Sequence, residues 1–308
     1  MVPKEYYGRL FTKEQLPVNY HPEALTLEGM IKVDKQLRCK RCYSWIEEDW
    51  QLPGGQYYCR ACIVFGRNQE GKELYYFPSK TSEIEFPVLK WFGELTPYQA
   101  KVSEKLLRTY QKQKDSLVHA VTGAGKTEMI YNIVAYVLEN KGHVAIASPR
   151  VDVCRELFLR MKRDFTCSIS LLHAESEPYD GSPLVIATTH QLLKFYQSFD
   201  LVIVDEVDAY PFVGNVMLNH AVEQAKTETG RFIYLTATST LSLEEQVRLG
   251  TLEKHHLARR FHGNPLVLPK LFWQGRLQKS LTRGKLPRPL LYLSLIHISE
   301  PTRLRRIS

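Results

Sequence analysis

The stretch HAVTGAGKT, His119 to Thr127, follows the strand-like run Ser116–His119 and opens a helix-like pattern near Lys126. Strand, glycine-rich turn and helix in that order make a phosphate-binding loop. Gly123 and Gly125 let the backbone of Thr122, Gly123, Ala124 and Gly125 curl until its N–H groups face a β-phosphate, and the helix N-terminus adds partial positive charge. Lys126 is expected to reach the β- and γ-phosphates and Thr127 to ligate Mg²⁺, so ATP and Mg²⁺ are the implied cofactors. Ala120 stands where the general pattern has its first glycine.

Outward from this loop, strand-length apolar runs alternate with amphipathic stretches. The strand candidates are SLVHAV, HVAIASP, SISLLHA, LVIATT, LVIVDE and FIYLTAT. Each is short, nearly continuous and rich in Val or Ile, as a parallel strand covered on both faces should be. Helices are predicted over Lys126–Glu139, Val153–Arg163, His190–Phe195, Asn215–Lys226 and Ser242–Leu249. A further helix starts where Thr96 caps and Pro97 takes the first turn, and runs through Tyr110. The alternation implies an α/β fold, a doubly wound parallel sheet with helices on both faces.

FDLVIVDEVDAY then places Asp205, Glu206 and Asp208 at the C-terminal end of a buried strand, the edge where open α/β sheets bind ligands. Two adjacent acids there are costly without a cation. Asp205 is expected to hold Mg²⁺ through its water shell and Glu206 to act as general base on the attacking water, with Lys126 completing the catalytic set. Asp208 is better suited to linking this loop with TAT, Thr236 to Thr238. DEVD alone is a weak signal; about eighty residues after a phosphate loop it is a strong one.

Four of the six cysteines form a second constellation. Cys39, Cys42, Cys59 and Cys62 make C-x2-C, sixteen residues, C-x2-C. This spacing brings two thiolate knuckles around one tetrahedral Zn²⁺, and four sulfurs make a closed, structural site. Pro53, Gly54 and Gly55 supply the turn between knuckles, and Trp45, Trp50, Tyr57 and Tyr58 offer a small aromatic core. Arg38, Lys40, Arg41 and Arg60 crowd the knuckles, where they serve either to contact nucleic-acid phosphates or to offset the site's negative charge. The ATP-binding lobe is expected to fold independently of this module. Cys154 and Cys167 read as small core residues.

The net charge of +8 is unevenly spread: Lys254 to Ser299 holds nine Lys or Arg and no Asp or Glu, while everything before it comes to about −3. That stretch, interleaved with Phe261, Phe272 and Trp273, suits either a phosphate track or a solvated linker. No apolar run reaches the roughly 20 residues that cross a bilayer and Met1 to Arg9 has no signal core, so a cytoplasmic location is expected.

With these motifs in order, the chain resembles superfamily 2 helicases of the DEAD/DEAH type. LTPYQ is similar to their adenine-reading segment, with Gln99 the implied base contact. ASPR (Ala147 to Arg150) and ATTHQLL (Ala187 to Leu193) look like the two loops that grip a nucleic-acid backbone, making Arg150, Thr188 and Thr189 the implied DNA contacts. A four-cysteine module ahead of TGAGKTE, DEVD and TAT resembles the late-competence family ComFA, over roughly residues 1 to 292. That family implies ATP-driven movement of single-stranded DNA at the inner face of the membrane, beside a membrane channel and a phosphoribosyltransferase-like partner. The replication-restart helicase PriA shares TGSGKTE-like wording, but its zinc cluster lies in its second half.

The implied organisation is an irregular segment over 1–35, the zinc module over 36–66 and a β-prone connection over 67–94. A RecA-like lobe follows over 95–255, then a basic linker with the start of a second lobe over 256–293. Residues 294–308, SLIHISEPTRLRRIS, match no helicase motif and resemble translated sequencing-adapter read-through, so they are expected to be non-native. The family's second lobe carries arginines that complete the ATP site, and the 308-residue chain alone is therefore expected to turn over negligibly.

Overall fold

The computed structural model describes residues 2–81 and 84–258. The basic stretch beyond 258, with Phe261, Phe272 and Trp273, and the tail from Ser294 lie outside the described residues. Short strands open the chain: β1 (Leu10–Thr12), β2 (Leu25–Glu28), β3 (Met30–Val33), β4 (Gln36–Cys39) and β5 (Glu73–Tyr76). The larger lobe then runs α1 (Pro97–Gln111), β6 (Asp115–Ala120), α2 (Lys126–Met129), α3 (Tyr131–Glu139), β7 (Val144–Ser148), α4 (Val151–Asp164), β8 (Ile169–Leu172) and β9 (Leu184–Thr188). It continues with β10 (Phe199–Asp205), α5 (Val216–Ala225), β11 (Lys226–Thr236), α6 (Leu241–Arg248) and β12 (Leu252–Leu257).

Seven strands form one sheet in the order β12-β6-β11-β10-β7-β9-β8, and every pairing in it is parallel. The period of two along each strand sorts residues to opposite faces. Val144, Ile146, Leu201 and Ile203 join the core under α1, α3 and α4. Ala145, Ala147, Val202 and Val204 join the core under α5 and α6. Both faces being covered explains why β7 and β9 are buried at every position. The sheet is the doubly wound one expected, and none of the described helices is long and apolar enough to cross a membrane.

Several elements differ from the sequence expectation. The segment 1–35 is not irregular: β1 and β2 flank β5 in an antiparallel sheet, and β3 pairs with β4. Runs of three or four residues carry too little pattern to be recognised before their distant partner is known. The helix expected over Lys126–Glu139 is divided at Ile130. The segment His190–Phe195 is a 3₁₀ helix, Thr189–Lys194. Lys254 belongs to the edge strand β12, paired with β6, rather than to a linker.

The cysteine module and the lobe share packing. Cys39, Cys42, Cys59 and Cys62 lie in one apolar cluster with Leu192, Leu193, Phe195, Leu218 and Val222. From α5, the Nε2 of His220 lies 2.9 Å from the Lys40 carbonyl and the Nε2 of Gln224 donates to the Arg41 carbonyl at 2.9 Å. Tyr43 stacks on His220 with centroids 4.8 Å apart. α5 is the floor on which the first knuckle rests, so the module and the lobe share an interface.

Candidate nucleotide site and cysteine centre

The phosphate loop leaves β6 and enters α2 with Gly123 at φ +78° and Gly125 at φ +74°, left-handed values that penalise any side chain. At Gly125 space forbids one as well, because an added Cβ would come 2.3 Å from Nε2 of Gln99. Gln99 explains the closeness. Its Oε1 accepts from the N–H and hydroxyl of Thr96, both at 2.9 Å, and its Nε2 donates to the Ala124 carbonyl at 2.9 Å. Gln99 thus joins the capped start of α1 to the loop and is 2% exposed. These hydrogen bonds make Gln99 a strut for the loop, and it also lines the cavity where the resemblance implied an adenine contact.

Gly125→Ala is expected to weaken MgATP binding by about five- to 150-fold, since it must break the Gln99 contact or distort the backbone, each worth roughly 1–3 kcal/mol. Isothermal titration of wild type and variant checks this, and equal affinities would dismiss the strut.

Gln99, Gly123, Gly125, Lys126, Thr127 and Asp205 line one cavity of about 480 Å³. Lys126 Nζ lies 4.0 Å from Asp205 Oδ1. Burial pushes the Asp205 carboxyl above its ordinary range, and Lys126 offsets only part of that rise. A buried carboxylate with one distant cation, beside the Thr127 hydroxyl, is a donor set suited to a hard divalent ion. Trp91 and Arg160 also line the cavity. Sequence reasoning passed over both, since Arg160 reads as an ordinary exposed helix position. Its guanidinium donates to Glu128 at 3.1 Å and Glu156 at 2.6 Å.

Glu206 follows with φ +55° and its N–H donates to Asp205 Oδ1 at 2.9 Å. Asp208 accepts from the Thr238 hydroxyl, and the Thr236 hydroxyl donates to the Thr238 carbonyl. Burial opposes ionisation of Asp208, but hydrogen bonds from Thr238 and Thr236 outweigh it and hold the carboxyl below its usual value. Asp208, Thr236 and Thr238 are therefore brought together as the sequence suggested.

The nucleic-acid candidates divide. Arg150 is exposed at the start of α4, whereas Thr188, which ends β9 in register with Ser148, is only 7% exposed. Thr189 is wholly buried, its hydroxyl without a hydrogen-bond partner among the described residues. The 3₁₀ turn packs Leu192 and Leu193 into the core and carries Thr189 inward with them. Any phosphate contact there falls to the backbone.

The four cysteine sulfurs lie within 4.8 Å of one another. Cys39 and Cys62 are 3.7 Å apart and Cys42 and Cys59 3.4 Å, close to the roughly 3.8 Å edge of a tetrahedron with 2.3 Å Zn–S bonds. Hydrogen bonds from the other thiols pull Cys39 well below the ordinary thiol range, while the same neighbours push Cys62 far above it. Four such sulfurs cannot all ionise without a cation between them. Asn68 Nδ2 donates to Cys39 Sγ at 3.2 Å. Arg41 is wholly buried, donating to the Phe65 and Gly66 carbonyls at 2.7 and 2.8 Å, with Nε and Nη2 unpartnered among the described residues. A buried guanidinium beside the thiols calls for an anionic centre, which a zinc tetrathiolate provides. Arg41 is accordingly no nucleic-acid contact. Trp45 is also out of the expected aromatic core: it is 40% exposed, with Arg38 over its ring at 4.4 Å.

Residues 96–246 match the DEAD/DEAH box helicase family. Competence protein ComFA of Streptococcus pneumoniae is 55% identical over 285 residues, 92% of this chain and 65% of that protein. ComFA of Bacillus subtilis is 33% identical over 301 residues, 94% of this chain and 64% of that one. This chain is thus similar to ComFA over nearly all of its length and to DEAD/DEAH box helicases over its lobe. It spans slightly less than two thirds of the length of these two ComFA relatives. The replication restart protein PriA of B. subtilis is more distant, 23% identical over 195 residues that make up 58% of this chain and 24% of PriA. ComFA likeness extends across the cysteine module as well as the lobe, and the PriA alternative is not favoured.

Proposed function

We propose that the whole protein is a DNA-stimulated ATPase that moves single-stranded DNA during competence-associated DNA uptake. The observation that carries the hydrolytic half is the convergence of Lys126, Thr127 and Asp205 on one cavity at the C-terminal edge of the sheet, with Glu206 beside it. Lys126 draws the β- and γ-phosphates by charge. Thr127 and Asp205 would hold Mg²⁺, which when bound screens the phosphate charge. Glu206 takes the proton of the attacking water as its oxygen bonds to the γ-phosphorus and the bond to the β-phosphate oxygen breaks.

The nucleic-acid half rests on Arg150, which starts α4 two residues beyond the end of β7, and Thr188, which ends the adjacent β9 at the same sheet edge, with the ComFA relatives supporting competence as the setting. Zinc in the cysteine centre, a membrane DNA channel and a phosphoribosyltransferase-like protein as partners, and a peripheral position at the inner membrane face belong to the same proposal. We assign the lobe to 95–255 and the zinc module to 36–66.

Phosphate release from the full-length gene product, with and without oligothymidylate, tests the proposal. Hydrolysis that rises with the oligonucleotide is the expected result. MgATP binding without turnover in either condition would make the protein a nucleotide-binding module instead.

A further inference from the structure

Arg150 is the residue from which α4 starts, immediately beyond β7, and its guanidinium faces two carboxylates. Its Nε and Nη2 donate to Asp152 at 3.2 and 2.5 Å. Its Nη1 lies 3.8 Å from Oε2 of Glu206. That Glu206 oxygen is buried and accepts no hydrogen bond among the described residues. The backbone beneath it is left-handed, φ +55°, a conformation that non-glycine residues keep only where the surroundings hold them. The acid expected to orient the attacking water is thus drawn toward a cation that the sequence places among the nucleic-acid contacts.

We infer that Arg150 is a positioning residue that restrains Glu206 in the nucleic-acid-free protein, and that a backbone phosphate of single-stranded nucleic acid releases Glu206 by taking the guanidinium. The inference rests on the ATPase reading above and adds to it the residue through which the polynucleotide acts. The chemistry favours an exchange of partners. At 3.8 Å the contact with Glu206 is an ion pair without a hydrogen bond, and the two side chains are 52% and 31% exposed. Such a pair is weak. A phosphodiester offers the guanidinium two oxygens in its preferred forked geometry. Asp152, bonded to the other edge, keeps the head group beside the site, so a small swing suffices for it to change partner. Coupling of this kind is reciprocal: if the polynucleotide frees Glu206, then removing the Glu206 charge must favour polynucleotide binding.

The test uses the full-length gene product. Arg150→Met should raise the oligothymidylate-free kcat about fivefold, the worth of an exposed ion pair, at unchanged KM for ATP. Its stimulation by the oligonucleotide should shrink correspondingly. Arg150→Lys, which keeps a cation there, should stay restrained and remain stimulated. Without nucleotide, Glu206→Gln should bind oligothymidylate more tightly than wild type, and the gain should vanish when Arg150→Met is added. A nucleic-acid-free kcat at or below the wild-type value in Arg150→Met, with KM unchanged and wild type stimulated, overturns the inference and leaves the ATPase reading standing. Wild type that hydrolyses nothing even with the oligonucleotide takes both down. If Arg150→Met does not fold, the Glu206→Gln binding comparison decides alone, and unchanged affinity refutes the restraint.

Discussion

Glu206→Gln is expected to bind MgATP like the wild type and, in the full-length gene product, to hydrolyse it about 10²–10⁴ times more slowly. The amide keeps the shape of the side chain, so the turn that begins with the N–H of Glu206 on Asp205 Oδ1 should survive. What it loses is the basic oxygen that orients water and accepts its proton. Lys126→Ala separates the other function of the site. Removing Nζ takes away the cation 4.0 Å from Asp205 and the one that meets the phosphates, so binding itself should fail. Fluorescent-nucleotide titration and phosphate release on both variants give the two numbers needed. Undiminished hydrolysis by Glu206→Gln would remove the base assignment, and undiminished affinity in Lys126→Ala would remove the phosphate-loop reading.

The parts of this site that sequence disclosed are those in which chemistry is written locally. Gly123, Gly125, Lys126 and Thr127 form one continuous turn, and Asp205 and Glu206 end a strand whose apolar run identifies it. Contacts made across the chain were invisible. Gln99 looks like a free polar reader in LTPYQ, and only the approach of Ala124 to it shows that its amide is already engaged. Thr189 looks like a phosphate contact beside Thr188, yet the 3₁₀ turn buries it. Arg41 stands between an exposed lysine and a cysteine, and nothing in that tripeptide says that its guanidinium turns inward to the Phe65 and Gly66 carbonyls. The sheet of β1, β5 and β2 escaped notice for a related reason: its information lies in pairings such as Leu10 with Tyr76, not in either run alone.

Zinc removal is expected to damage more than the module that holds it. Structural zinc contributes roughly 10–16 kcal/mol in small metal domains, comparable with or larger than the whole stability of an ordinary domain. Without it, four wholly buried sulfurs face one another with no cation between them and Arg41 is left as a buried cation with two unpartnered donors. The first knuckle cannot keep its geometry under those conditions. Because the Lys40 and Arg41 carbonyls are held by His220 and Gln224, and Tyr43 is stacked on His220, the disturbance passes directly into α5. That helix buries Leu218, Ala221 and Val222 against one face of the sheet, while α3 and α4 pack on the opposite face. Purified protein should hold about one zinc per chain, and Cys59→Ser should sharply weaken its retention. Chelation should then lower the hydrogen-exchange protection of α5 amides while leaving α3 protected. Loss of protection confined to residues 36–66 would show that the lobe stands without the module. Absence of zinc, or a Cys39–Cys42 disulfide in reduced protein, would remove the metal assignment itself.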